Sequence, residues 1–234
     1  MNPASPAPRL AVLASGRGSN LQAILDAIAA GTLAAEVVGV FSDKPDAVAL
    51  QRVPPALRWS QRPAQFTERA AFDEAMAEAL TAARPDWIVC AGYMRILGEA
   101  FVRRFEGRLI NIHPSLLPRH RGLHTHARAL EAADAEHGAS VHFVVPELDA
   151  GAVIAQARVP VLAGDDVAAL AGRVLSREHP LLIATLRLLV AGRLDERHGQ
   201  ARLDGQCLFT PLQLDSAGNG DAEGHMLVTS PPSS

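Results

Sequence analysis

Only two of the 234 residues are cysteine, Cys90 and Cys207. That excludes a disulfide framework and any paired-cysteine metal motif. Cys90 lies in the apolar run Trp87-Ile88-Val89-Cys90-Ala91, the pattern of a buried strand. An excess of charge is also lacking: 22 Lys and Arg stand against 25 Asp and Glu, a net charge of −3, and the pI is near 6.3. With no basic block, this balance argues against a dedicated nucleic-acid binder, though not against a local anion pocket. No apolar run reaches the ~18 residues that a membrane span needs. Residues 1–8 are rich in Pro and Ala without an apolar stretch and do not read as a signal peptide, so the expected location is the cytoplasm. What is present is a globular composition, 48% hydrophobic and 20% charged, in a length that suits one large domain or two small ones.

Strand and helix patterns alternate along the first half. Residues 9–14 form an apolar run that ends in Ser15-Gly16-Arg17-Gly18-Ser19-Asn20. Leu21, Ile24, Leu25 and Ile28 then fall at i, i+3, i+4, i+7, which predicts an amphipathic helix, with Gly31 as its stop. Residues 37–41 and 56–59 read as strands, 67–83 as a helix and 87–91 as a strand. Residues 101–105 read as a short helix and 109–112 as a strand. This order predicts a Rossmann-like, mostly parallel twisted sheet with helices on both faces. Beyond Ser140 the texture changes. Residues 141–145 and 153–159 read as an antiparallel pair, and a long apolar helix over 166–190 is expected to bend or break at Pro180. The expected organisation is a flexible segment 1–8, a single domain over 9–214 and a disordered Gly/Ser/Pro-rich tail over 215–234. The domain would have a nucleotide-binding half at about 9–110 and a second half at about 111–214.

Three stretches carry chemistry. The loop Gly16-Arg17-Gly18-Ser19-Asn20 joins a strand to a helix start, where backbone N–H groups and the helix dipole favour an anion. Ser19 or Asn20 would cap the helix, bind the anion, or both. The dinucleotide fingerprint fails, because its third glycine falls on Leu21. The Walker pattern fails as well, so a phosphomonoester is favoured over a nucleotide cofactor; a tight turn with a cap gives the same pattern. In Asn111-Ile112-His113-Pro114-Ser115, Asn111 and His113 project from one side of a strand end. An amide donor beside an imidazole suits chemistry at a carbonyl, with Asn111 bonding an oxyanion and His113 moving the proton. Asp149, in Glu147-Leu148-Asp149-Ala150-Gly151, would raise the His113 pKa by favouring the charged ring; the alternative is a turn-forming aspartate. Met94-Arg95-Ile96-Leu97 fits either a heterocycle-reading loop or a connection packed on the core. His124 and His126 invite a zinc reading, but no HExxH pattern or cysteine set accompanies them, and no metal is expected.

Taken together, these segments resemble the phosphoribosylglycinamide formyltransferase family of folate-dependent formyltransferases. The resemblance runs through Ser15-Gly16-Arg17-Gly18-Ser19-Asn20-Leu21-Gln22, Phe41-Ser42-Asp43, Gly92-Tyr93-Met94-Arg95-Ile96-Leu97 and Asn111-Ile112-His113-Pro114-Ser115-Leu116-Leu117-Pro118. It continues from His137-Gly138-Ala139-Ser140-Val141-His142 to Asp149-Ala150-Gly151, and spans roughly residues 9–205. It implies two small-molecule substrates, glycinamide ribonucleotide and 10-formyltetrahydrofolate as co-substrate. It also implies no metal, and a monomer or homodimer. Carried over by motif, the ribonucleotide falls on Gly18, Ser19, Asn20, Leu21, Gln22 and Glu178. The folate falls on Arg69, Met94, Arg95, Ile96, Leu97 and Asn111, and catalysis on Asn111, His113 and Asp149. Arg17, Asp43 and His120-Arg121 depart from the family pattern. Two relatives share the chemistry, methionyl-tRNA formyltransferase and 10-formyltetrahydrofolate hydrolase. The first is disfavoured by the negative charge and the short stretch after Gly205. The second is disfavoured by the short stretch before Arg9.

Overall fold

The apolar run at the start of the chain forms β1 (Arg9–Leu13), whose last four residues are fully buried. In the computed structural model, which describes residues 6–214 and 227–228, the chain divides between Leu109 and Ile110 into two compact units. In the first unit β1 is followed by α1 (Ser19–Ala29), β2 (Glu36–Ser42), β3 (Arg58–Ser60), α2 (Arg69–Ala83), β4 (Trp87–Cys90) and α3 (Glu99–Arg104). The strands run in the order β4-β1-β2-β3, and every neighbour is parallel. Continuous apolar runs rather than alternation are what a parallel sheet covered on its faces requires. On α1 the buried positions are Asn20, Leu21, Ile24 and Ala27. The chain leaves this helix through Gly31 at φ 69°, a left-handed backbone suited to glycine. The third strand starts at Arg58 rather than at residue 56, because Pro55–Leu57 form a turn of 3-10 helix. Trp59 reaches both Phe41 and Phe72, each at a ring separation of 5.9 Å.

The second unit contains β5 (Leu109–His113), α4 (Thr125–Glu131), β6 (Glu136–Phe143), β7 (Val153–Pro160) and α5 (Val167–Val190). Here β5-β6-β7 pair antiparallel; the β6–β7 pair was expected and the antiparallel β5–β6 pairing was not, and β6 begins five residues ahead of the predicted start. Asp166 opens α5, its Oδ1 accepting from the Ala169 amide at 2.7 Å. The expected break at Pro180 is absent, and α5 runs uninterrupted through it. One lost N–H is outweighed by a buried stripe that includes Leu170, Val174, Leu181, Leu182, Leu186 and Leu189, which packs on β6 and β7.

Several elements were not foreseen. One is α4. Another is a separate antiparallel sheet of β8 (Leu194–Arg197), β9 (Gln200–Leu203) and β10 (Gln206–Cys207). Its two turns are His198-Gly199 and Asp204-Gly205, all four residues with positive φ, the two-residue hairpin whose twist suits its strands. Finally β11 (Leu212–Gln213) adds parallel to β7, and β12 (Leu227–Val228) pairs antiparallel with it. The rest of the expected tail, 215–226 and 229–234, lies outside the described residues.

Candidate active site

In the first unit a single hydroxyl ties together the loops that follow three parallel strands. Ser15 Oγ donates to the buried Asp43 Oδ1 at 2.6 Å and accepts from the Met94 amide at 2.9 Å. The Ser15 amide donates to Gly92 O at 3.0 Å. These loops therefore share one polar knot at the carboxyl ends of β1, β2 and β4, where open α/β sheets place ligands. Asp43, one of the departures from the family pattern, is an acceptor in that knot.

Neither Ser19 nor Asn20 caps α1. The cap position is Gly18, left-handed at φ 70° and ψ 40°, with no side-chain cap hydrogen bond. A Cβ at Gly18 would lie 2.7 Å from Ala49 Cβ, so the close approach also demands glycine. The first amide to close a helical bond is that of Gln22, onto Gly18 O at 2.9 Å. The amides of the turn before it close no bond within the helix, as at any helix start. Beside the loop, Arg52 donates to Arg17 O at 2.9 Å and to Gln22 Oε1 at 2.6 Å.

The structure brings Arg69 to the 94–97 segment, where its Nη2 donates to Ile96 O. Asp73 accepts from the Gly98 amide at 3.0 Å. Burial raises its pKa against the opposing pull of that amide, Arg69 and Arg95. Arg95 lies over the Phe72 ring at 5.3 Å. Met94 and Ile96 are 61% and 54% exposed, so this segment presents apolar side chains to solvent while its backbone is pinned.

In the second unit Asn111 and His113 sit on β5, and opposite them on β6 are His142 and Ser140. His113 is buried. Its Nε2 donates to the carbonyl of His120 at 3.0 Å, and its Nδ1 lies 3.5 Å from Asp149 Oδ2. Both ring nitrogens thus face acceptors, and both are satisfied only when each carries a proton. Asp149 has φ 47°, an uncommon backbone for a residue other than glycine. Gly151 fixes the loop that carries it: a Cβ there would stand 1.9 Å from Phe143 O.

His142 is the residue that the sequence reading missed. Its Nδ1 donates to Phe143 O at 2.8 Å, which leaves Nε2 as an acceptor, and Asn111 Nδ2 donates to it at 3.1 Å. Burial pushes the His142 pKa down to about 4, against the opposing effects of the Phe143 carbonyl and Asp149. His142 Nε2 also lies 3.6 Å from Asp149 Oδ1. Asn111, His142, Asp149 and His113 therefore form one connected group. The signal in the sequence was Val141-His142-Phe143, a histidine in an apolar strand with no obvious surface role.

Glu178 is half-buried on α5. His126 and His137 share a hydrogen bond at 3.1 Å. Among the described residues no group of three or more His, Cys, Asp or Glu is arranged to hold a metal. None of the described helices is long and apolar enough to cross a membrane.

Comparison with known proteins places this geometry. Residues 8–186 match the formyl transferase family. The phosphoribosylglycinamide formyltransferase of Escherichia coli is 47% identical over 201 residues, 85% of this chain and 95% of that protein. The solved phosphoribosylglycinamide formyltransferase of Coxiella burnetii superposes with a TM-score of 0.81 at 43% identity, over 86% of this chain and 96% of the other. The glycinamide ribonucleotide transformylase 1 of Symbiobacterium toebii gives 0.82 at 40%, over 87% and 97%. Shared fold and shared sequence coincide along nearly the whole length of these relatives, and the chain belongs to the phosphoribosylglycinamide formyltransferase family.

Proposed function

We propose that the enzyme transfers the formyl group of 10-formyltetrahydrofolate to the amine of 5'-phosphoribosylglycinamide. The products are 5'-phosphoribosyl-N-formylglycinamide and tetrahydrofolate, in purine biosynthesis. The observation that carries this reading is the connected group of Asn111, His113, His142 and Asp149, which offers an aimed amide donor and a ring suited to two protons. The ribonucleotide is assigned to Gly18, Ser19, Asn20, Leu21, Gln22 and Glu178. The amide-rich start of α1 and its helix dipole suit the phosphate. The folate is assigned to Arg69, Met94, Arg95, Ile96, Leu97 and Asn111.

The uncharged amine attacks the formyl carbon, and a C–N bond forms as the carbonyl electrons move to oxygen. One N–H of Asn111 is committed to His142, and the other is left for this oxyanion. His113 acts as the imidazolium. Its Nε2 proton is held by the His120 carbonyl. Its Nδ1 proton faces Asp149 at 3.5 Å, beyond good hydrogen-bond length, and is the less firmly held of the two. That proton passes to N10 as the C–N10 bond breaks, and the attacking nitrogen gives up one proton in exchange, which restores the ring. Asp149 balances the ring's charge throughout. No covalent enzyme intermediate arises.

The test is formyl transfer by His113→Ala and Asp149→Asn, with ribonucleotide affinity measured separately by calorimetry. Both should lose kcat by at least about a hundredfold, the scale of general acid–base catalysis, while ribonucleotide affinity changes little. Turnover near that of the unaltered enzyme in either variant removes this proton path.

A further inference from the structure

A three-residue segment holds both members of the His113–Asp149 couple. The His120 carbonyl accepts from His113 Nε2 at 3.0 Å. Two residues later the Gly122 amide donates to Asp149 Oδ2 at 2.8 Å, the same oxygen that faces His113 Nδ1. Where residues 120–122 sit therefore decides how ring and carboxylate meet.

The backbone of His120 is not placed by its own preference, since its φ of 53° is left-handed. Its side chain supplies the anchor. His120 Nε2 lies 2.7 Å from Asp134 Oδ2, and the two side chains are only 10% and 3% exposed. Arg119 Nη2 holds the other oxygen of Asp134. Although burial works to raise the Asp134 pKa, the bonds from His120 and Arg119 bring it below the usual carboxylate range. The carboxylate is thus an acceptor, and His120 Nε2 must carry the proton between them. From the other side, Ser115 Oγ donates to Arg119 O at 2.7 Å, and Ser140 Oγ donates to Ser115 O at 2.7 Å. The residues up to 119 are fixed by this chain of hydroxyls. Beyond them the next side-chain fixture is His120 on Asp134.

We propose that His120 is a positioning residue: its side-chain bond to Asp134 sets the carbonyl on which His113 docks, and so fixes the His113 tautomer and ring orientation. This inference rests on the reading of His113 as the proton carrier. Its geometric half stands apart from that reading, because the tautomer is observable without turnover.

The experiment uses the full chain with 15N-labelled histidine. At a pH where His113 is neutral, the unaltered protein should show the ring protonated on Nε2 alone. His120→Phe keeps a ring in the space and removes the donor; the His113 signals should then move to the average of two tautomers. In the same variant kcat should fall about ten- to a hundredfold, the scale set by small misplacements of catalytic groups. KM for both substrates should stay within about threefold. His120→Gln, which restores an N–H donor toward Asp134, should recover most of both effects. Asp134→Asn serves as a second route to the same break should His120→Phe fold poorly. An unchanged His113 tautomer with an unchanged kcat in folded His120→Phe or Asp134→Asn overturns the proposal. If His113→Ala retains turnover while His120→Phe still mixes the tautomers, the reading of His113 has failed and the positioning has not.

Discussion

Replacing Gly151 by alanine should disable the enzyme without touching a charged group. A Cβ at this position would lie 1.9 Å from Phe143 O, 2.8 Å from Phe143 C and 3.4 Å from Val145 Cγ1. The first two are backbone atoms at the end of β6 and cannot swing aside. Real Cβ contacts essentially never fall below 3.0 Å, so the two segments must part by at least 3.0 − 1.9 = 1.1 Å. The Phe143 amide donates to Ala152 O at 3.0 Å, and this bond is the first casualty. Losing it costs about 1 kcal/mol, and overpacking adds about 1–3 kcal/mol, so destabilisation of about 2–4 kcal/mol is expected. Asp149 is two residues away in the same loop. A shift of that size moves its carboxylate out of reach of His113, and kcat should drop about a hundredfold. Urea unfolding followed by circular dichroism gives the first quantity, and saturating steady-state kinetics the second. Gly172→Ala is the matched control. Its Cβ meets nothing within 4 Å on α5, so it should add about 0.5–1 kcal/mol of stability at unchanged kcat. Gly151→Ala with stability within about 0.5 kcal/mol and kcat within about twofold of the parent would refute the steric reasoning.

Other expectations concern the remaining parts of the site. Crystals soaked in sulfate should show the anion on the amides of Ser19 and Asn20; density confined to surface arginines would reduce the loop to a turn. Ser15→Ala removes a donor from buried Asp43 and an acceptor from the Met94 amide. It should cost about 1–3 kcal/mol and raise KM for the folate more than for the ribonucleotide; equal effects on both would mean that the hydroxyl does not order the 94–97 segment. Acidification should destabilise the fold well above the carboxylate range. His137 and His142 are both pushed down to about 4, chiefly by burial. Between pH 6.5 and 4 the unfolded chain therefore binds protons that the native state refuses. Their contribution is complete above about pH 6.5 and is lost as pH falls toward 4, at about 1.4 kcal/mol per pH unit for each ring. Equal denaturation midpoints at pH 7 and pH 5 would contradict it.

The elements legible in the sequence were those whose pattern is set by burial alone. Residues 10–13 and 87–90 are apolar throughout because parallel strands are covered on their faces. The stripe on α1 has helical spacing because one side meets the sheet. No break occurs at Pro180 because the buried stripe on either side of it outweighs the proline's local cost. The small sheet was missed for a different reason. Its strands carry Asp195, Glu196, Arg197 and Arg202, so periodicity is weak there. The turn Asp204-Gly205 was nevertheless a strong hairpin signal.

The site divides along a similar line. Asn111, His113 and Asp149 could be singled out because amide, imidazole and carboxylate carry their chemistry in the side chain. What orients them is largely backbone. The partner of His113 Nε2 is the carbonyl of His120, that of His142 Nδ1 is the carbonyl of Phe143, and that of Asp149 Oδ2 is the amide of Gly122. A carbonyl or amide is the same in every residue, so no sequence pattern announces it; its position comes from the fold. Ser15 and His142 illustrate the intermediate case. Each is a recognisable polar residue whose role depends on register, since His142 matters because β6 pairs it across from Asn111, and one step of slip would turn it to the other face. The side chains that do chemistry can thus be nominated from spacing, whereas those that aim them become visible only once antiparallel register and loop closure are known.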